Sequence, residues 1–139
     1  MPAAQRFPGE VVAAVHRAKI LGVRSGTAHR FTGVWPVVVE GRVFVRSWGV
    51  KERGWYRAFR AEPRGAMSVD GRELPARAVF TRSERVKDAV DRAYAEKYNT
   101  PASLKWVRDL ARETSRATTT ELVPGAARAG RARPARSRP

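Results

Sequence analysis

The sequence predicts an α+β domain that is mainly β, a six-stranded antiparallel barrel with helices inserted between its strands. Three observations carry this reading. Short alternating segments fill the first half of the chain and are broken at Ser25-Gly26 and Glu40-Gly41. Asp70-Gly71 is a favoured two-residue hairpin turn. Two helical stripes with start signals then precede a threonine-rich segment that can close the sheet.

The elements follow in order. Pro8, Gly9 and Glu10 open a first helix in which Val11, Val12, Val15 and Ala18 recur at helical spacing, while Arg17 and Lys19 face away. From Ile20 the period changes, and residues 20 to 28, 30 to 39 and 42 to 48 read as three strands of a meander. Pro36 lies inside the second of these and marks it as an edge or a bulge. Trp55, Ala58 and Phe59 restart a short helical stripe near 54 to 61, closed by Pro63. Residues 66 to 69 and 73 to 81 flank the hairpin turn. Ser83 caps a helix with Val86, Ala89, Val90, Ala93 and Tyr94 on one face; Arg85, Lys87, Asp88, Asp91 and Arg92 read as its solvated side. Thr100-Pro101 starts another helix, with Leu104, Val107, Leu110 and Ala111 as its stripe. Residues 117 to 123 form the last strand, which removes an exposed edge by closing the barrel.

One core has to serve the whole chain of 139 residues, and 42% apolar content is sufficient for it. The domain is expected to end at residue 123, because residues 124 to 139 contain only small residues, proline and arginine and are expected to be disordered. That tail holds Arg128, Arg131, Arg133, Arg136 and Arg138 and no acid, so of the net charge of +15 about +10 belongs to the domain. Such a field selects anionic partners as a class. The tail reads either as a tether for nucleic acid or a membrane surface, or as a solubilising extension. Arginine outnumbers lysine 23 to five, which coding bias alone also explains.

Several chemistries are excluded. The absence of cysteine rules out disulfides, thiolate catalysis and Cys-ligated metal centres. No apolar run approaches the roughly 18 residues of a membrane span, and the N-terminus lacks the apolar segment of a secretion signal, so the expected compartment is the cytoplasm. His16 and His29 have no second ligand at useful spacing, and no nucleophile elbow supports Ser-His-Asp catalysis.

The densest signal is Gly41 to Arg64, where a strand, a basic turn and an aromatic-led helix follow one another. Six cations lie between Arg46 and Arg64 against Glu52 and Glu62, a pattern that favours a phosphate or another polyanion. Trp55 and Phe59, four residues apart, read as a packed helix face, and Trp35 and Trp48 as core or dimer contacts. Tyr56 is the better ligand contact, because its hydroxyl can reach a wet rim while its ring packs. Arg24 and Arg46 are open to two readings, as ligand contacts or as surface ion pairs.

The run VRSGTAHRFTGVWPVVVEGRVFVRSWGVKERGWYRAFRAEP, followed by a hairpin and a helix, resembles the flavin-type (pyridoxamine phosphate oxidase-like) split barrels. Within that FMN-binding-like fold it is similar to a small bacterial family of unknown function, itself similar to the deazaflavin-dependent nitroreductases. The matching residues are Arg24-Ser25-Gly26, Arg46-Ser47 with Gly49, and Trp55-Tyr56, and the resemblance covers about residues 20 to 123. It implies FMN or a deazaflavin coenzyme lying across the strands, with Arg46, Ser47, Lys51 and Arg53 at its phosphate and Thr32 and Trp48 beside its ring. Arg24 and Ser25 stand in the matching turn, and Tyr56 at the rim. The relatives commonly form two-fold dimers with the cleft at the interface. One departure stands out: the nitroreductases commonly carry a Thr-Pro pair in the second strand, whereas here Thr32 is followed by Gly33.

Three functions follow as expectations. The first is a flavin- or deazaflavin-dependent oxidoreductase acting on an unidentified small molecule, in which the cofactor carries the redox chemistry. The second is a non-catalytic binding or interaction domain that kept the barrel and lost the cofactor. The third is nucleic-acid binding through the basic charge, with Trp and Tyr available for stacking.

Overall fold

The computed structural model describes residues 6–27, 30–48 and 54–125. Helix α1 (Gly9–Arg17) leads into β1 (Leu21–Ser25), β2 (Thr32–Val34), β3 (Val37–Val39) and β4 (Arg42–Val45). The short α2 (Trp55–Ala61) precedes β5 (Arg64–Val69) and β6 (Arg72–Phe80); α3 (Glu84–Lys97), α4 (Pro101–Leu110), α5 (Glu113–Arg116) and β7 (Thr120–Pro124) complete the order.

All strand pairings are antiparallel, in the order β2-β1-β5-β6-β7-β4-β3. The sheet therefore has seven strands where six were expected. The difference lies within residues 30 to 39, expected as one strand, which form β2 at one edge of the sheet and β3 at the other. Pro36 has no N–H to continue a ladder, so the segment breaks there and each half finds a different neighbour. Only Trp35 and Pro36 separate the halves, and a step from Val34 to Val37 spans at most about 11 Å. The two edges of the sheet are thus tied together along the chain, which forces the sheet to curl into a half-barrel.

The hairpin turns follow their sequence signals. Glu40 and Gly41 have φ of 54° and 75°, and Asp70 and Gly71 have 54° and 74°, the left-handed pair that a type I′ turn requires. Strand alternation then builds two cores. In β4, Val43 and Val45 enter the interior of the curl with Leu21, Val23, Phe59, Met67 and Leu122, while Phe44 points to the opposite face. There it meets Val86, Val90 and Tyr94 of α3 and Val107 and Leu110 of α4.

The helix signals hold with two adjustments. The Ser83 hydroxyl accepts from the Val86 N–H at 3.2 Å. Thr100 occupies the N-cap position of α4, but its hydroxyl donates to the Ser103 hydroxyl at 2.9 Å in place of capping the backbone. Leu104, expected on the buried stripe, is 44% exposed, and Ser103 is buried instead. The last strand starts at Thr120, later than expected, because Thr118 and Thr119 each turn a hydroxyl back onto the preceding turn, at Ser115 O and Arg116 O (both 2.6 Å). At its other end β7 runs to Pro124, and the Gly125 N–H donates to Pro75 O at 2.9 Å. The arginines of the tail lie outside the described residues.

Gly65 fixes the approach of β1 to β5, since a Cβ there would sit 1.9 Å from the Arg24 carbonyl oxygen. Gly65→Ala is expected to destabilise the fold by about 3 kcal/mol or more, the upper end of overpacking costs. Gly9→Ala, whose Cβ meets nothing within 4 Å, serves as the control and should change stability by less than about 0.5 kcal/mol. Urea midpoints of the two variants check the difference.

Candidate functional site

Strand alternation places Arg46 on the same face as Phe44, toward α3 and α4, and the residue is only 1% exposed. Its Nε donates to Thr119 Oγ1 at 2.8 Å, one Nη to Asp91 Oδ1 at 2.5 Å and to Leu110 O at 2.9 Å, and the other Nη to Lys87 O at 2.9 Å. Four of its N–H donors are committed inside the protein, and its side chain has no exposed surface. The surroundings therefore correct the expectation that Arg46 faces phosphate: it is a structural guanidinium. Asp91, read as part of a solvated face, is its counter-ion and also accepts from Arg116, which further pairs with Glu84 at 2.7 Å and Asp88 at 3.3 Å.

Ser25 is likewise an internal tie. Buried at 4% exposure, its hydroxyl lies 3.0 Å from Ala58 O and 2.7 Å from Glu62 O, holding the last turn of α2 onto β1. The Ser47 N–H donates to Thr118 Oγ1 at 2.9 Å and its carbonyl accepts from the Ser115 hydroxyl. Trp48 donates from Nε1 to Trp106 O at 3.2 Å and meets the edge of Trp35 at 5.1 Å. Trp35 in turn stacks on Tyr98 at 4.2 Å and 11°. Burial pushes the Tyr98 and Tyr94 phenols well above their ordinary range, which keeps them neutral donors to Pro36 O (3.0 Å) and Trp35 O (2.6 Å). Thr32 is exposed on the edge strand β2. Lys51, Arg53 and Gly49 lie outside the described residues, as does His29.

Two hollows take the remaining residues. Arg24 borders one of about 480 Å³ with Glu62, Arg64, Gly65, Glu73 and Leu74. Its Nε is buried without a hydrogen-bond partner among the described residues, and its guanidinium lies 4.4 Å from the centre of Phe31 and 3.8 Å from Glu73. Two acids here offset two arginines. The other hollow, of about 570 Å³, is lined by Tyr56, Arg57, Arg60, Ala61, Ala117 and Thr118, and no carboxylate lines it among the described residues. The Tyr56 ring packs edge-on against Phe80 at 5.6 Å, while its hydroxyl accepts from Arg60 Nη1 at 3.1 Å and reaches Ala117 O at 3.4 Å. Thr118 joins this hollow to Ser47 through the bond already described. Trp55 packs beside the fully buried Phe59, at 6.3 Å between rings.

Arg57, Arg60 and Thr118 were not among the expected site residues. The helical spacing of Tyr56 and Arg60, four apart, carries the signal for Arg60. Thr118 is 62 residues further along the chain from Tyr56, and nothing local in the sequence joins the two.

Residues 11–122 match a family described as an uncharacterised protein conserved in bacteria. The chain belongs to the DUF2255 family. The match runs from α1 into β7 and contains every residue lining the hollow beside Tyr56; the Arg24 hollow adds Gly125 beyond it. A comparison with curated proteins finds no match. Among solved structures, the DUF2255 chain is similar to the conserved hypothetical protein Rv2991 from Mycobacterium tuberculosis, with a TM-score of 0.57 and 14% identity over 88% of this chain and 82% of that one. At that identity the likeness concerns the fold alone. Among the described residues no group of acidic, histidine or cysteine side chains is placed to hold a metal ion, and no helix is long and apolar enough to cross a membrane.

Arg46→Met is expected to lower stability by about 3–5 kcal/mol, the cost of removing one partner of a buried ion pair, because the Leu110 and Lys87 carbonyls lose a donor as well. A rim arginine would change it by about 0.5 kcal/mol at most. The denaturant midpoint distinguishes the two.

Proposed function

We propose that this DUF2255 protein binds a phosphate-bearing ring cofactor of the FMN or deazaflavin class, with the phosphate in the hollow beside Tyr56, and serves as an oxidoreductase for a small molecule. The observation that carries the reading is the convergence of Arg57, Arg60 and the Tyr56 hydroxyl on an open hollow of about 570 Å³ lined by no acid among the described residues. That volume lies in the range of small-molecule sites. A phosphate is suited to such a place because guanidinium N–H groups give it charge-assisted, directed hydrogen bonds without a competing carboxylate. The resemblance of the Arg46 to Tyr56 segment to the flavin-type split barrels supports the cofactor class, and it assigns Lys51 and Arg53 to the same phosphate.

The residues present fit the phosphate end of such a group. Arg57 and Arg60 supply charge, and Tyr56, seated on Phe80 and tied to Ala117 O, holds its hydroxyl at the rim. When bound, the cofactor supplies hydride transfer; the protein binds, orients and shields it.

A second reading, a barrel that has lost its cofactor, is favoured by the internal commitment of Arg46 and Ser25 and by the stacking of Tyr98 on the Trp35 ring. Titration of the purified chain with FMN and with a deazaflavin coenzyme, followed by absorbance and fluorescence, separates the readings. Micromolar binding is expected, weakened about tenfold each, or about 1.4 kcal/mol, by Arg57→Ala and Arg60→Ala. No binding of either compound overturns the cofactor assignment; binding untouched by both substitutions overturns its place beside Tyr56.

A further inference from the structure

The last turn of α3 carries a lysine in an unusual setting. Lys97 is half-buried, and its Nζ lies 3.1 Å from Val15 O of α1 and 2.9 Å from Pro36 O at the β2–β3 crossing. Neither acceptor is charged. Burial with no compensating carboxylate lowers its pKa to about 8. A neutral amine has two N–H donors and one lone pair, so the two carbonyls satisfy both donors and leave the lone pair free in a fixed direction. An ammonium held by the same two carbonyls has a third N–H to satisfy.

Lys97 also borders a hollow of about 320 Å³, shared with His16, Val37, Val38, Ala93 and Glu96. Val37, Val38 and Ala93 give it apolar walls, and His16 and Glu96 add two groups able to exchange a proton. The hollow belongs to neither site described above. Its volume is at the small end of ligand pockets and suits a short aliphatic compound.

We propose that Lys97 is a covalent capture site for small aliphatic aldehydes, which enter the hollow between α1, β3 and α3 and form an imine with Nζ. The lone pair of Nζ attacks the carbonyl carbon, forming the C–N bond while the C=O π pair moves to oxygen; the nitrogen gives up one proton and the oxygen takes one up, giving the neutral carbinolamine. The carbinolamine then loses its hydroxyl as water as the nitrogen gives up its remaining proton and the C=N bond forms. Amine and aldehyde become imine and water, with no change of oxidation state. His16 and Glu96 line the hollow in which these protons move.

The test uses the full chain, butanal as the probe and cyanoborohydride to reduce the imine, with the adduct located by peptide mass mapping. The other lysines, Lys19, Lys51, Lys87 and Lys105, are internal references. At pH 7 an amine titrating near 8 holds about two-hundredfold more of its free form than an ordinary lysine, and its lower basicity takes back part of that advantage, so Lys97 is expected to react at least about tenfold faster than exposed Lys105. The preference is expected to vanish in denaturant. Its rate should level off above pH 8. Among the described residues the ionisable groups facing Lys97 are His16 from α1, Glu96 from α3 and Tyr98 at its C-cap; β3 contributes Val37 and Val38 to the hollow. His16→Gln, at an exposed position, is expected to slow capture at Lys97 and leave Lys105 unchanged. Labelling of Lys97 no faster than Lys105, or only after unfolding, overturns the proposal and leaves Lys97 a structural tie.

Discussion

Much of the architecture hangs on one buried guanidinium. Arg46 leaves the end of β4 on the face that carries Phe44, and there it joins α3 through Lys87 O and Asp91, the last turn of α4 through Leu110 O, and the approach to β7 through Thr119. Burying a charge this completely is costly unless acceptors replace the lost water, and here an ionised carboxylate, a hydroxyl and two carbonyls do so. The Leu110 carbonyl is in the last turn of its helix, where backbone acceptors lack intrahelical partners and a cation is favoured. Asp91 extends the link to Arg116, so the short α5 is fastened to the same point. The helical layer cannot slide on the sheet without breaking this set together.

A second constraint acts between the edges of the sheet. The crossing at Trp35 and Pro36 ties the two edges of the sheet, and its carbonyls are the acceptors for Tyr94, Tyr98 and Lys97. The Trp35 and Pro36 oxygens, which lie between the two strands and outside any ladder, are thereby satisfied by Tyr94 and Lys97 of α3 and by Tyr98 at its C-cap. The same arrangement stacks Tyr98 on Trp35 and places Lys97 against its hollow. Curl, aromatic stack and lysine setting are consequences of one break in a strand.

The hollow at Tyr56, which no carboxylate lines among the described residues, lies beyond these fastenings, where α2 meets the turn before β7. Arg46 and Arg57 illustrate how position governs the use of a charge. Both come from the same basic stretch, yet one sits on an alternating strand whose two faces are covered, and the other on the exposed side of a two-turn helix. Only the second is open to an outside anion.

Local chemistry in the sequence determined the antiparallel hairpins at Glu40-Gly41 and Asp70-Gly71, the start of α3 at Ser83 and of α4 at Thr100-Pro101, and the mixed α+β class, because turn residues, caps and periodicity act within a few positions. The tertiary structure alone decided that residues 30 to 39 divide between opposite edges, that Arg46 and Ser25 are internal ties, and that Thr118 meets Tyr56. The ties at Arg46 and Ser25 and the meeting of Thr118 with Tyr56 depend on neighbours 33 to 73 residues away. A residue type at a spacing cannot encode that, since an arginine on a strand has the same local signature whether its partner is an aspartate across a helix or a phosphate from solution.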